Sequence, residues 1–197
     1  VTLCIKRRIT ELEIMDKTFV DVFPTLQLNK ELSDLLEDVM VEKVTTNRQK
    51  DFLRIYLSST HLIMKEKIFL IEKQIKKQLF LQMPMNIKIQ EKFSLSSQYN
   101  PQTLMEVYKN SILLELEQYS HILFTAFKKA EIVYENDNME LKLEDCVPIR
   151  EKENELLRIL EKIIGERCGV KTNIHITYLP RKERKNKKED DVILLRQ

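Results

Sequence analysis

Acidic side chains that lie close together in sequence are the natural starting point for chemistry in this chain. A hydrolytic or nucleotide-transfer site needs converging carboxylates, commonly around a divalent cation. The closest pairs are Glu135 with Asp137 and Asp190 with Asp191. The first pair falls at the tip of a predicted hairpin and the second in a charged tail, where carboxylates are usually just exposed. Neither pair predicts a catalytic pocket.

Histidine and cysteine residues show no spacing that is typical of metal ligands or of an activated nucleophile. The residues concerned are His61, His121, His175, Cys4, Cys146 and Cys168. An odd number of widely spaced cysteines favours reduced thiols in a cytoplasm over a disulfide framework. The chain also lacks the glycine-rich phosphate loops and the GxSxG and HExxH motifs. We therefore predict a cytoplasmic chain with no catalytic residue, no metal and no cofactor, and with no small-molecule substrate.

Composition is that of an ordinary globular protein, with 43% hydrophobic and 32% charged residues in 197. A net charge of +2 gives no global field that would imply nucleic acid or an acidic membrane as partner. Only two glycines occur, which argues against a turn-rich all-β fold. The apolar runs are too short to span a membrane, so no membrane contact is predicted.

Residues 149–178 organise the chain, because they predict a long amphipathic helix that runs into an edge strand. Apolar residues recur there with helical spacing, Gly169 can end the helix in the left-handed conformation, and the residues after it alternate. An earlier stretch has the same design. At one constant offset, Ile71, Ile75, Leu79, Ile89 and Phe93 align with Leu156, Leu160, Ile164, Ile174 and Tyr178. This pattern fits a structural repeat, but any two amphipathic helix–strand units can be aligned in the same way, so both interpretations stay open.

The remaining patterns complete an α+β fold of two small domains, each with helices packed on one face of a small, mainly antiparallel sheet. The first domain (15–93) reads α-β-β-α-β, with a short helix over 16–23, and the second (100–179) reads α-α-β-β-α-β. We expect each sheet to have its own core. Asn100 and Pro101 predict the start of a helix. Residues 1–14 are predicted as an N-terminal extension, 94–99 as a linker and 180–197 as a charged linker or tail.

Lysine-rich stretches raise the possibility of nucleic-acid contact. The predicted helix over 64–80 is basic, and its place in the α-β-β-α-β order invites comparison with KH-type RNA binders, although their GxxG loop is absent. The candidate contacts are Lys65, Lys73, Lys76, Lys77, Arg181 and Lys182. A lysine-rich helix face is more often a solvated face than a binding face, and the basic run of the tail is more typical of a spacer.

Three segments of the chain resemble the N-terminal region of the PolC-type DNA polymerase III alpha subunit of Gram-positive bacteria. They are DVFPTLQLNKELSDLLEDVMVEKVTTNRQKDFLRIYLSSTHLI, QYNPQTLMEVYKNSILLELEQYSHILFTAFKKAEI and LEDCVPIREKENELLRILEKIIGERCG. The resemblance runs through both predicted domains. It implies a first domain like the alpha-binding domain of the clamp-loader tau subunit and a KH-like second domain. In that family the polymerase and the 3'-5' exonuclease lie in later domains, so no catalytic residue is carried over.

What the resemblance implies is a non-catalytic module of bacterial DNA replication, not an enzyme by itself, that makes protein contacts. Its partners would be replisome proteins and the remainder of the polymerase, and DNA is a further possible partner. Phe19, Phe23, Tyr56 and Tyr108 are candidate protein contacts, with the core as the alternative location of each. A KH-like module that binds single-stranded nucleic acid is the alternative function, and a stand-alone enzyme comes third.

Overall fold

A computed structural model describes residues 10–135 and 137–180, and the side chains of those residues from 17 onward. Its first sheet has four strands in the order β1-β2-β3-β4, and the first two pairs are antiparallel while β3 and β4 are parallel. The elements are β1 Thr10–Thr18, α1 Phe19–Val22, α2 Lys30–Leu36, β2 Met40–Thr46, β3 Phe52–Ser59, α3 Lys65–Leu79 and β4 Asn86–Phe93.

The second sheet has three strands in the order β5-β6-β7, of which the first pair is antiparallel and the second parallel. Its elements are α4 Pro101–Tyr119, α5 His121–Lys129, β5 Glu131–Glu135, β6 Asn138–Glu144, α6 Val147–Glu151, α7 Glu153–Glu161, a π-helix at Lys162–Arg167 and β7 Asn173–Leu179. The α+β class and the two small sheets are those predicted. None of the described helices is long and apolar enough to cross a membrane.

Local sequence signals explain where two of the helices begin. The side chain of Asn29 accepts a hydrogen bond from the amide of Leu32 at 3.0 Å, at the start of α2. The side chain of Asn100 does the same for the amide of Thr103 at 2.9 Å, and Pro101 occupies the first turn of α4. Each cap satisfies an amide that the helix itself leaves free, and the predicted helix start at Asn100 and Pro101 is confirmed.

The N-terminal part of the fold differs from the prediction. Residues 10–14, predicted as part of an extension, lie in β1, which pairs with β2 through Glu11 opposite Thr45 and Leu12 opposite Val44. The helix predicted over 16–23 is only α1, capped by Thr18. The strand was missed although Glu11 to Ile14 alternate between acidic and apolar residues, because so short an alternation does not show which strand will pair with it. Residues 1–9 of the predicted extension lie outside the described residues.

The long helix predicted within 149–178 is also wrong in part, because the segment is divided into α6, α7 and the π-helix. The break falls at Lys152, whose φ of −105° and ψ of 9° leave the helical region. Glu153 and Glu155 in the first turn of α7 favour a new helix start. Gly169 adopts a φ of 69° and thereby confirms the predicted left-handed end. β7 is an edge strand, as predicted.

Buried side chains from both sheets belong to one continuous hydrophobic cluster. Phe93 at the end of β4 packs edge-on against Tyr108 of α4, with ring centroids 6.0 Å apart. The expectation of a separate core for each sheet is therefore wrong. The domain boundaries predicted around 94–99 remain a prediction, and most of the predicted 180–197 tail lies beyond the described part of the chain.

Candidate functional site: a buried ionic cluster and the adjoining sheet face

Four charged side chains meet where α3 and β4 pack against α4 and the π-helix, and we call them the ionic cluster: Lys65, Glu91, Glu115 and Arg167. The Nζ atom of Lys65 lies 2.8 Å from Oε1 of Glu91 and 3.4 Å from Oε1 of Glu115. The Nη1 atom of Arg167 lies 3.1 Å from Oε1 of Glu91. Arg167 also donates hydrogen bonds from both terminal nitrogens to the carboxylate of Glu115. Each cation therefore contacts both carboxylates.

The cluster is removed from solvent by the elements that carry it. The side chain of Glu91 is 1% exposed and that of Lys65 is 7% exposed. Glu91 faces inward because it lies two residues from each of the buried residues Ile89 and Phe93 on β4, and residues two apart on a strand share one face. The carboxylate of Glu91 would be very costly without partners, as would to a smaller degree that of Glu115, which is 20% exposed, and the two cations neutralise both. The cluster thus ties α3 and β4 of the first sheet to α4 and the π-helix that precede β7.

The protonation states in the cluster follow from these contacts. Burial acts to raise the pKa of Glu115, but the hydrogen bond from Arg167 and the charge of Lys65 outweigh it and lower that pKa. Burial acts to lower the pKa of Arg167, and its bond to Glu115 and the charge of Glu91 raise it instead. Cys168 lies beside this pair, and burial raises its pKa to about 12. That thiol is protonated at neutral pH and is a poor nucleophile.

Polar contacts from α4 surround the start of α3. The amide of Lys65 donates to Oγ of Ser111 at 3.0 Å, so a side chain of another helix caps this one. The Ser111 hydroxyl in turn donates to Sδ of Met64 at 3.6 Å. The hydroxyl of Tyr108 is buried and has no hydrogen-bond partner among the described atoms. Burial raises the pKa of this phenol far above its ordinary value.

A cleft of about 300 Å³ opens beside the ionic cluster at the edge of β4. Its lining includes Lys65, Phe69, Lys88 and Arg167, together with Arg54 from β3. The guanidinium of Arg54 lies 5.3 Å from the ring centroid of Phe52, and its Nε atom is buried without a partner among the described atoms. The cleft therefore combines several cations with aromatic rings, and the carboxylates of Glu72 and Glu115 line it as well.

The carboxylate of Glu72 lies at the same edge of β4. The side chain of Glu72 on α3 accepts a hydrogen bond from the amide of Ile89 on β4 at 2.8 Å. Its other oxygen lies 3.6 Å from Nζ of Lys88. Burial raises the pKa of Glu72, partly offset by the bond from Ile89. An edge amide of the sheet is therefore satisfied by a side chain of the covering helix.

The lysines predicted as nucleic-acid contacts are not brought together. Lys65 is buried in the ionic cluster, whereas Lys73, Lys76 and Lys77 are exposed on α3. Arg181 and Lys182 lie outside the described residues. The three exposed lysines are therefore the part of the predicted set that a ligand in solution could reach.

The four aromatic residues predicted as protein contacts divide into two groups. Phe19 is 1% exposed and Tyr108 is fully buried, so both occupy the alternative location in the core. Phe23 and Tyr56 are half-buried at the surface. Only the second pair is available to a partner without rearrangement.

The residues first considered for chemistry stay apart in the structure. Glu135 and Asp137 flank the hairpin tip, and the backbone carbonyl of Asp137 accepts bonds from Thr172 and Asn173. His61 contacts Ser59 and the carbonyl of Leu35. Among the described residues, no group of three or more histidine, cysteine or acidic side chains could hold a metal ion. Asp190 and Asp191 lie in the undescribed tail.

Sequence reasoning missed three members of the ionic cluster, namely Glu91, Glu115 and Arg167. A signal was present for Glu91, because a carboxylate at an inward position of an alternating strand requires a buried partner. Glu115 and Arg167 sit on amphipathic helices, where charged residues are expected at the surface. Their convergence depends on how the two halves pack, which local patterns do not encode.

Fold and site together define a two-sheet α+β protein whose halves are joined through a buried ionic cluster. Residues 18–89, from α1 into β4, match the model of the family described as DNA polymerase III polC-type N-terminus I. For this segment, the match confirms the resemblance to the N-terminal region of a PolC-type DNA polymerase III. No curated protein and no solved structure matches the chain at a significant level.

Proposed function

We propose that the chain is a non-catalytic N-terminal region of a PolC-type replicative polymerase, and that it docks protein partners in the cytoplasmic replisome of a bacterium. The observation that carries the proposal is the family match over residues 18–89, which extends from α1 into β4. The replisome proteins and the rest of such a polymerase are its partners. The polymerase and exonuclease chemistry belongs to other domains of that family.

Exposed apolar side chains within the matched segment support a docking role. Leu81 and Met83, directly after α3, are 77% and 59% exposed, and Phe80 beside them is half-buried. The segment before α2 lies against the same end of α3, because Gln27 and Gln78 exchange two hydrogen bonds at 2.8 and 2.7 Å. Apolar side chains that cluster at a surface are typical of protein interfaces.

The ionic cluster supports the same proposal by making the module rigid. A partner that contacts the first sheet meets a surface whose position relative to α4 is held by buried charge pairs. A rigid surface loses less conformational entropy on binding than a flexible one. The chain is therefore suited to present a fixed docking surface.

Purified components test this proposal. The full chain is immobilised and exposed in turn to the clamp, the clamp-loader subunits, the helicase, the primase and the single-strand-binding protein of a Gram-positive replisome. We expect saturable binding to one of them, weakened about tenfold or more by the double variant Leu81→Asp with Met83→Asp. Val147→Asp is the matched control, since Val147 is 68% exposed but lies outside the matched segment. Absence of binding to every component would overturn the proposal.

A KH-like nucleic-acid-binding role for α3 is the second candidate, and the exposure of Lys73, Lys76 and Lys77 on one helix favours it. Phosphate contacts release counterions, so the affinity for an oligonucleotide must fall steeply with salt. Substituting all three lysines by glutamine should then remove the salt dependence. Unchanged binding by that triple variant rules out α3 as the site.

A further inference from the structure

The outer face of the first sheet carries an alternation of aromatic and basic side chains that the docking role does not use. On β3, Ile55 and Leu57 point into the core, so Phe52, Arg54 and Tyr56 lie on the opposite face. In register on β4, Lys88 stands beside Arg54 and Lys92 beside Ser58. We call these five residues the basic sheet face: Phe52, Arg54, Tyr56, Lys88 and Lys92.

Carboxylates and cations both border this face. Glu42 is exposed at a bulge in β2 and lines a shallow depression with Tyr56 and Lys92. Glu166 of the π-helix lines the same depression, and the Nζ atom of Lys43 on β2 lies 4.8 Å from the ring centroid of Tyr56. A polyanion would therefore be attracted to the face itself, where Arg54 and Lys88 stand side by side.

Arg54 is the best anchor for an anion on this face. Its buried Nε has no partner among the described atoms, and its Nη1 reaches only the weak limit of a hydrogen bond, 3.5 Å from the hydroxyl of Tyr56. A buried donor without an acceptor is costly, and an anionic oxygen would satisfy it with a charge-assisted bond. The cleft into which Arg54 extends also holds Lys88.

Lys88 can take part in the same contact. Its side chain is 48% exposed, and its Nζ atom is 3.6 Å from Glu72 and 5.6 Å from the ring centroid of Phe69. Both contacts are loose, so a phosphate oxygen at closer range could replace them. Arg54 and Lys88 together would form a two-cation seat for one phosphate group.

We propose that the basic sheet face binds single-stranded nucleic acid, with phosphates at Arg54 and Lys88 and bases stacked on Phe52 and Tyr56. Phe52 and Tyr56 lie about 13 Å apart, from a strand rise of about 3.3 Å per residue, with the arginine between them. Base stacking on aromatic side chains beside a basic track is the general mode of single-strand recognition. Arg54 already contacts the ring of Phe52, and Lys43 contacts the ring of Tyr56. Stacked bases would add to these contacts, whereas an acidic peptide would use the cations alone.

Fluorescence anisotropy of the full chain with a labelled oligothymidine of about 15 nucleotides tests the proposal. We expect saturable binding whose affinity falls steeply between about 50 and 200 mM salt. Arg54→Gln and Tyr56→Leu should each weaken binding about tenfold. A thermal melt of each variant verifies that the fold is retained.

Two control variants locate the site. Lys129→Gln removes one exposed positive charge from α5 and should change the affinity by less than about twofold. Lys77→Gln removes one from α3, and an effect there as large as that of Arg54→Gln would overturn the proposal in favour of the helix. Equal small losses in all variants would reduce the interaction to general charge attraction and would also overturn it.

Double-stranded DNA and polyglutamate complete the experiment as competitors. Because bases in a duplex cannot stack on the rings, duplex should compete poorly against oligothymidine. Polyglutamate should displace it only at much higher charge concentration. Absence of oligothymidine binding at low salt, or tighter binding of polyglutamate, would overturn the proposal. Neither result bears on the docking function, whose test uses purified proteins and a different surface.

Discussion

The unit β2-β3-α3-β4 and the unit β5-β6-α7-β7 share one topology, in which an antiparallel hairpin is followed by a helix and a parallel strand. The repeat pattern in the sequence corresponds to this shared topology. Most of the aligned positions are buried in both units, namely Ile71 and Leu156, Ile75 and Leu160, and Ile89 and Ile174. In each unit, the apolar side chains at these positions pack the helix against its sheet.

The units differ where charge is concerned. At the offset of the repeat, Lys65 corresponds to Arg150 and Glu91 to Ile176. Lys65 is buried against Glu91, but Arg150 pairs with Asp145 at the surface, where their side chains are 55% and 41% exposed. Only the first unit has α4 and the π-helix packed over this position, and these supply Glu115 and Arg167. The neighbouring half of the molecule, and not the repeat, thus determines the charged positions.

The crossover helices differ as well. The first unit uses one continuous helix, α3, whereas the second uses α6, α7 and a π-helix that ends at a left-handed glycine. The π-helix places Arg167 in the ionic cluster and Cys168 in the core. A π-helical turn shifts the side chains that follow it, and such turns are frequent at functional sites. The irregular crossover therefore supplies the side chain, Arg167, through which the second unit contacts Glu91 of the first.

The largest expected effect comes from breaking the charge pairing that distinguishes the units. Lys65→Met leaves Glu91, which is 1% exposed, with one cation fewer, and should lower the free energy of unfolding by about 3 kcal/mol. Urea unfolding measures it. Lys67→Met is the matched control on the same helix, because Lys67 pairs with the exposed Glu31 and should give no resolvable change. Equal effects of the two variants would contradict a special role for the buried cluster.

The two glycines of the second crossover should respond in opposite directions to alanine. Gly169 has a φ of 69°, so Gly169→Ala should cost about 1–2 kcal/mol of stability. Gly165 lies in the π-helix with open space where the methyl group of an alanine would sit, and Gly165→Ala should add about 0.5–1 kcal/mol. Thermal melts of the two variants measure this difference. A loss of stability from Gly165→Ala would show that the π-helix needs glycine.

Two tyrosine hydroxyls sharpen the comparison, one where α4 packs against the first unit and one within the second unit. The hydroxyl of Tyr108 is buried without a partner among the described atoms, so Tyr108→Phe should raise the free energy of unfolding by about 1 kcal/mol. Tyr178 of the second unit donates to Glu153 at 2.7 Å, and Tyr178→Phe should lower it by about 0.5–1 kcal/mol. Chemical denaturation of both variants measures the two signs. A destabilised Tyr108→Phe variant would indicate an additional acceptor for that hydroxyl.

The smallest expected effect is a pH dependence that arises from one proton. Since Arg167 and Lys65 lower the pKa of Glu115 below its ordinary value of 4.5, the unfolded chain takes up this proton first as the pH falls. The contribution of Glu115 is therefore fully present above about pH 4.5 and is lost as the pH falls through its lower folded pKa. Unfolding free energies measured across this range should fall less steeply for Glu115→Gln. An identical slope in that variant would contradict the assignment.

The spacing of apolar residues predicted the elements whose structure is determined by their own local sequence. The hairpins, α3, α5 and the left-handed Gly169 all follow from local apolar spacing, caps and turn residues. β1 and the break at Lys152 were missed. The alternation in β1 stops at the adjacent apolar pair Ile14 and Met15, and both the pairing of so short a strand and a kink between two helical stretches are decided by tertiary contacts.

The candidate site was the least predictable part of the molecule. Lys65 was singled out from sequence as a solvent-facing cation, yet it is buried because Ser111 and Glu115 of α4 pack over the start of α3. Arg54 drew no attention, because a basic residue on an alternating strand is normally a solvated one. The burial of Lys65 and the position of Arg54 in the cleft both depend on contacts between elements that are distant in sequence. Local sequence patterns do not predict such contacts.

The bond from Ile89 to Glu72 has a consequence for the behaviour of the chain at high concentration. β4 is an edge strand, and an edge with free amides can recruit a strand of another molecule into a shared sheet. Glu72 occupies one such amide and places a partly buried carboxylate in the path of an incoming backbone. The helix that covers the sheet thereby also works as a safeguard against self-association.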